Sequence, residues 1–213
     1  MKVLMSILSL SFFLSNSIYY SQSILINDLN WSTKNLNVSK FNNGDAIFQA
    51  KSEQEWIEAC KKKIPAFIVI VNKMGETEKL YNYYVLADNR GVLPKNTRYP
   101  SGSEFLSLSS YLKNNPKSTK DLNFILSEAI YTESCGDLSK QSLNDFWYLD
   151  LVNFPIADAL EMDMGASMAI SVCGDESVFP LCQDGSFSGF MSSGGFGGLG
   201  SGKLIRFIYI NSK

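Results

Sequence analysis

Between Lys79 and Leu112 the chain sets an aromatic block, an Arg-Gly turn, two prolines and the start of a helix in close order. Tyr81, Tyr83, Tyr84 and Tyr99 carry large apolar areas, and the polar Asp88-Asn89-Arg90-Gly91 turn separates the first three from the Pro94 to Pro100 segment. Core packing is the ordinary role of such aromatics, so this stretch constrains the fold and says little about function.

The flanking segments read as short elements. Ile24 to Leu29 predicts a first strand, leading into Trp31 and the polar stretch Ser32 to Lys40, and Asn43-Gly44-Asp45 marks a turn. Ser52 and Glu55 have capping-box spacing ahead of Trp56, Ile57 and Cys60, which predicts a helix of about three turns. Pro65 stops it, and the apolar, β-branched run Ala66 to Val71 predicts a buried strand. Met74 to Glu78 reads as a polar loop. Leu80 to Leu86 is ambiguous, since its aromatics suit a strand and also fall on one side of a short helix. Ser101 and Glu104 repeat the capping-box spacing before an apolar face of Phe105, Leu106, Leu108, Tyr111 and Leu112. Asn114-Asn115-Pro116 ends that helix, and Leu122 to Ile130 predicts a third, short one.

From Ser134 onward Gly, Ser and Asp dominate, with short apolar pieces such as Phe146 to Val152 and Met168 to Cys173, a pattern of loop-rich β structure. The Gly-rich stretch Gly185 to Gly202 is too apolar for a plain linker and reads as a long loop tied to the core. Leu204 to Ile210 predicts a closing strand.

Lys2 precedes an apolar run, Val3 to Leu14, too short to cross a bilayer as a helix. Residues 1–22 therefore read as a secretory signal cut among Ser21, Gln22 and Ser23, with a retained membrane anchor as the alternative. Residues 23–213 suffice for one domain, with no transmembrane span once the signal is removed. The expected location is secreted, periplasmic or cell-surface. Nineteen basic against twenty-one acidic residues, without a basic block, oppose nucleic-acid and anionic-membrane partners. Four cysteines, Cys60, Cys135, Cys173 and Cys182, permit two disulfides in one of three pairings. Cys173 and Cys182 are close enough to bridge a short loop, whereas Cys60 lies on a predicted helix and buries readily.

Several blocks together resemble the Fibrobacter succinogenes major paralogous domain family. The residues are Trp31-Ser32-Thr33-Lys34-Asn35-Leu36-Asn37-Val38, Phe41-Asn42-Asn43-Gly44-Asp45-Ala46-Ile47, Glu55-Trp56, Pro65-Ala66-Phe67 and Leu80-Tyr81-Asn82-Tyr83-Tyr84-Val85. Arg90-Gly91-Val92-Leu93-Pro94, Pro100-Ser101-Gly102-Ser103-Glu104-Phe105 and the closing Gly202-Lys203-Leu204-Ile205-Arg206-Phe207 continue the match, which is best over 31–112. The resemblance implies structural roles for Trp31, Asn35, Leu36, Tyr81, Asn82, Arg90, Gly91, Pro94, Pro100, Glu104 and Arg206. Through a distant likeness to the sulfatase-modifying-factor group it implies a single C-type-lectin-like α+β domain. Two main helices, small twisted antiparallel sheets and long loops in the C-terminal half are expected, with Leu80 to Leu86 helical. Phe207 stands where the family usually has cysteine, so the resemblance implies no disulfide there.

The chain has no histidine, which removes Ser-His and Cys-His nucleophiles and His metal ligation. Glu161, Asp163, Asp175 and Glu176 supply carboxylates of the kind a glycoside hydrolase pairs, although surface acids on loops are the ordinary explanation. Asp175, Glu176 and Asp184, with loop carbonyls, are oxygen ligands of the kind calcium takes, without EF-hand spacing; no other cofactor is expected. The glycines from Gly194 to Gly202 do not form a phosphate loop, because Lys203 leads into a strand-like run. The resulting expectation is an exported, non-catalytic binding or surface module that presents the 134–202 loops to a glycan or a surface protein. Trp147, Tyr148, Phe187, Phe190 and Phe196 are the candidates for stacking on sugar rings. The alternative is an exported enzyme related to formylglycine-generating oxidases, which needs a reactive thiol or metal pocket.

Overall fold

A computed structural model of the chain describes residues 23–72, 74–115, 117–122, 128–133, 137–142, 144–147, 167–172, 187–191 and 202–210. The chain opens with a hairpin, β1 (Ser23–Ile26) and β2 (Leu29–Ser32), where one strand was expected over Ile24 to Leu29. Asn27 and Asp28 sit at φ of 50° and 62°, the left-handed pair of a two-residue turn that reverses the strand. The Asn43-Gly44-Asp45 turn forms as expected, with Gly44 N–H donating to the Phe41 carbonyl and Phe41 N–H to that of Asp45, each at 2.9 Å.

β3 (Phe48–Ala50), α1 (Glu53–Lys61) and β4 (Ala66–Val71) form a strand–helix–strand unit with β3 and β4 parallel. The Ser52 hydroxyl caps α1 by accepting from the Glu55 N–H, whereas the Glu55 carboxylate turns to the Lys51 N–H at 2.7 Å. Trp56, Ala59 and Cys60 are the buried residues of this helix. Cys60 is also disulfide-bonded.

β5 (Thr77–Tyr81) pairs antiparallel with β4, and α2 (Tyr83–Ala87) follows. Leu80 to Leu86 is therefore not one helix. Leu80 and Tyr81 complete a strand against Ile68 and Phe67, Asn82 is the junction, and only the residues beyond it are helical. Likewise Thr77 and Glu78, expected in a loop, begin β5. β6 (Thr97–Arg98) leads to α3 (Gly102–Asn114), whose capping box between Ser101 and Glu104 is complete. α4 (Ser118–Asp121) is a single turn preceding the expected third helix, and Glu128 to Ile130, read as its end, instead opens β7 (Glu128–Glu133). Pairing with β8 (Asp137–Ser142) overrides the local signal there.

β9 (Asn144–Trp147), β10 (Ser167–Val172) and β11 (Phe187–Met191) follow in the C-terminal half. The closing strand is split into β12 (Leu204–Ile205) and β13 (Ile208–Tyr209), which serve different sheets. The sheet orders are β1-β2-β13-β6, β11-β10-β9-β12, β3-β4-β5 and β7-β8. The fold is thus α+β with small sheets and few helices; β3 with β4 and β12 with β9 are parallel, so the sheets are mixed where antiparallel ones were expected.

Two apolar clusters form the core. One gathers Ile26, Trp31, Trp56, Phe105, Leu108, Leu112 and Ile208, and the other Leu36, Phe41, Phe67, Tyr81, Tyr83, Tyr84 and Phe207. The segment 202–208 runs buried between them. Its main chain exchanges hydrogen bonds between Lys203 and Tyr81, accepts from the Leu36 N–H at the Ile205 carbonyl (2.8 Å) and accepts from the Ser32 N–H at the Phe207 carbonyl (2.9 Å). Gly202 permits this passage, since a Cβ there would stand 3.2 Å from both Leu80 and the Trp56 ring. Among the described residues no helix is long and apolar enough to cross a membrane.

Candidate functional site

Polar residues of the frame are spent mainly on its own backbone. The Tyr81 hydroxyl accepts from the Val38 N–H and donates to the Val38 carbonyl, each at 2.8 Å, and burial pushes its pKa up. Asn82, at the N-cap of α2, does not cap it; its amide instead accepts from the Ala66 N–H at 3.0 Å and donates to the Ile64 carbonyl at 2.9 Å, fixing the entry to β4. Arg206 is wholly buried and donates to the carbonyls of Ser32 and Leu122 at 2.8 and 2.9 Å. Burial lowers its pKa to about 9 against the pull of the Glu78 carboxylate, so the guanidinium stays charged at neutral pH.

The remaining motif residues hold turns and helix ends. Arg90 binds both oxygens of Asp88, reaches Asp45 at 3.1 Å and stacks 3.8 Å above the Phe41 ring, joining two turns distant in sequence. Its bonds hold the Asp88 carboxyl below the usual range, while Asp45 is lowered first by Asn43 and then by Arg90. Gly91 sits at φ 66°, and its carbonyl accepts from the Asn42 N–H. The Pro94 carbonyl accepts from the Thr97 hydroxyl, and Pro100 is buried ahead of the α3 cap. Glu104 pairs with Arg98, which is the main cause of its lowered pKa. Trp31 packs on Phe105 with ring centres 5.3 Å apart, and Leu36 is buried in the second cluster.

Among the described residues, polar groups also line a cleft. Residues 34–37 and 75–78 face each other across a cleft of about 440 Å³, lined by Lys34, Asn35, Leu36, Asn37, Gly75, Glu76, Thr77 and Glu78. Its far wall is organised by Asn72, whose side-chain oxygen accepts from the N–H groups of Met74 and Glu76 and whose amide donates to Glu76 (3.2 Å) and Glu78 (3.1 Å). Gly75, at φ 79°, supplies the left-handed residue of that turn. Glu78 stands in register with Ile70, two residues before the buried Leu80, so it shares the inward parity of β5 and lies within electrostatic reach of Arg206. Across the cleft the Asn35 amide donates to the second Glu78 oxygen at 2.5 Å. The Asn35 side-chain oxygen is buried and has no hydrogen-bond partner among the described residues. Lys79, just outside, donates to the Asn37 carbonyl and the Ser39 hydroxyl and lies 4.9 Å over Phe67; burial lowers its pKa.

A second groove, of about 540 Å³, runs along α1 between Phe48, Glu55, Glu58, Lys62 and Ile64. Its polar groups are largely a surface ion pair, Lys62 to Glu58 at 3.2 Å, and do not converge on a point. The first cleft has the converging donors and acceptors that a ligand site needs.

Sequence reading missed this cleft because Met74 to Glu78 looked like an ordinary polar loop. The available signal was Asn72 ahead of Gly75, a turn signature, with Glu78 two residues from Leu80 on the inward parity. Of the residues expected to meet a ligand, Trp147 lies on β9 opposite Ser167, and Phe190 on β11 opposite Ile170. Those partners have opposite parity on β10, so the pleat sets the two positions on opposite faces. Phe187 opposes Val172 past a register shift. Tyr148, Phe196, Asp175, Glu176, Asp184, Cys173 and Cys182 lie outside the described residues, as do Glu161 and Asp163. Among the described residues no group of three or more acidic or cysteine side chains is placed to hold a metal.

The family profile of the Fibrobacter succinogenes major domain matches residues 24–159, a span that contains every residue lining the first cleft. No curated protein and no solved structure matches the chain.

Proposed function

The chain belongs to the Fibrobacter succinogenes major domain family, and from that premise we propose that it is an exported, non-catalytic binding module of the cell surface. In this reading a C-type-lectin-like scaffold presents the 134–202 loops to a glycan or a protein partner, the glycan being the first to test. The observation that carries the reading is the division of labour among polar side chains. Tyr81, Asn82, Glu104 and Arg206 hold backbone in place, while in the cleft between 34–37 and 75–78 the side chains of Asn35, Asn72, Glu76 and Glu78 bond one another. That is the economy of a rigid display frame, since a nucleophile or proton shuttle needs a polar group released from structural duty. The disulfide at Cys60 supports export, because such bonds persist in oxidising compartments. So does the short apolar N-terminal run behind Lys2.

The test is binding of the exported protein to a panel of polysaccharides and glycans, with and without a chelator. Saturable binding supports the module, and loss with chelator assigns calcium to the acids Asp175, Glu176 and Asp184. A blank panel overturns the glycan reading and turns the search to a protein partner.

A further inference from the structure

We infer that the cleft between 34–37 and 75–78 is a subsite for a neutral, hydroxyl-rich molecule of the size of a monosaccharide or disaccharide; this rests on the binding-module reading and gives it a location inside the family-matching frame. Three features of the site argue for that chemistry. Its volume, about 440 Å³, falls within the roughly 300–1,000 Å³ of small-ligand sites, yet its lining is polar, which disfavours an apolar occupant. Its charges are mixed: Glu76 and Glu78 are opposed by Lys34 in the lining and by the buried Arg206 guanidinium, whose charge is felt at Glu78. A free anion meets two carboxylates and a free cation meets the Lys34 ammonium with the Arg206 charge offsetting Glu78, so neither gains what a neutral molecule does not.

Donors and acceptors are also interleaved. The two Glu78 oxygens hold the Asn35 and Asn72 amides in fixed positions. Vicinal hydroxyls each donate and accept, which suits a row of amide and carboxylate groups at hydrogen-bond spacing. Both walls are preorganised, one by the Leu36 N–H bonded to the Ile205 carbonyl and the other by the Asn72 turn, so little ordering accompanies binding.

The experiment titrates the full exported chain with glucose, galactose, mannose, N-acetylglucosamine and cellobiose by ligand-observed NMR and calorimetry, with glucuronate and glucosamine as the anionic and cationic probes. Thr77→Tyr enlarges an exposed residue of the cleft lining, and Glu76→Gln keeps the shape while removing one charge; an unchanged melting transition shows that each variant folds. The inference expects saturable binding of at least one neutral sugar, about tenfold weaker binding of glucuronate, no gain for glucosamine, and a loss of about tenfold or more in Thr77→Tyr. Sugar binding that survives Thr77→Tyr overturns the cleft and leaves the module reading intact, with its surface elsewhere. Tightest binding of glucosamine, or of none of the neutral sugars, overturns the chemistry assigned to the site.

Discussion

The two apolar clusters of the molecule are equally well buried but are built differently. The cluster around Trp31 and Phe105 is largely aliphatic where α3 packs on the hairpin, with Ile26, Leu108, Leu112, Leu122 and Ile208 filling the space. The cluster around Tyr81 is ringed by tyrosines and crossed by polar bonds, with the Tyr81 hydroxyl on Val38 and Asn82 on the start of β4. The first is sensitive to volume, because close-packed methylenes leave a cavity when removed. The second is sensitive to single atoms that fill almost no volume, because each holds a backbone group that would otherwise be buried without a partner. The open cleft borders the second cluster through Leu36, so the part of the fold specified by hydrogen bonds is also the part that positions the candidate site.

The largest expected effects break each cluster outright. Trp31→Ala should cost about 3–5 kcal/mol in denaturant unfolding. Arg206→Met should cost a similar amount, about 3–5 kcal/mol, although it fills much of the same space, since it strands the carbonyls of Ser32 and Leu122. An Arg206→Met protein as stable as the parent would show that the Ser32 and Leu122 carbonyls do not depend on the buried guanidinium.

A paired measurement then sharpens the contrast. Tyr81→Phe and Leu108→Met both conserve volume, yet the first should cost about 1–3 kcal/mol and the second under about 1.5 kcal/mol. Equal losses would erase the distinction between the two clusters. A smaller loss of about 1 kcal/mol is expected for Ser101→Ala, which removes the α3 cap while touching neither core.

The smallest effect concerns pH. The carboxyls of Glu104 and Asp88 titrate below their usual values in the folded chain, chiefly because of Arg98 and Arg90. Their stabilisation is thus present above the unfolded carboxylate pKa of about 4 and is lost as pH falls through the lowered folded values. Melting temperature should fall on acidification below about pH 4, and Arg98→Met should flatten that dependence. A pH profile unchanged by Arg98→Met would remove the ion pair from the account.

Much of the frame was legible locally. Ser52 and Ser101 announced α1 and α3, and Asn43-Gly44-Asp45 is a turn; the run Ala66 to Val71 is β4 to the residue, but Val69 and Val71 are exposed, so the strand is not buried throughout as expected. The failures share one cause. Leu80 and Tyr81, Glu128 to Ile130, and the divided segment after Leu204 carry weak or mixed local preferences, and strand partners decided their state. β3 passed unnoticed because three residues are too few for a periodic signal, while its parallel pairing to Ala66 through Ile68 is clear in the fold.

The family, the mixed α+β character, the two capped helices and the lack of histidine chemistry all reside in residue type and near-neighbour spacing, and so could be read without the fold. Packing at long range is what brings Phe207 to Ser32 across 175 positions and Asn35 to Glu78 across 43, with a polar cleft where 34–37 and 75–78 face each other. The reason is physical: a cap or a turn satisfies its hydrogen bonds within a few residues. A buried arginine, a threaded closing segment or a cleft depends on which distant surfaces the packing of both clusters brings together.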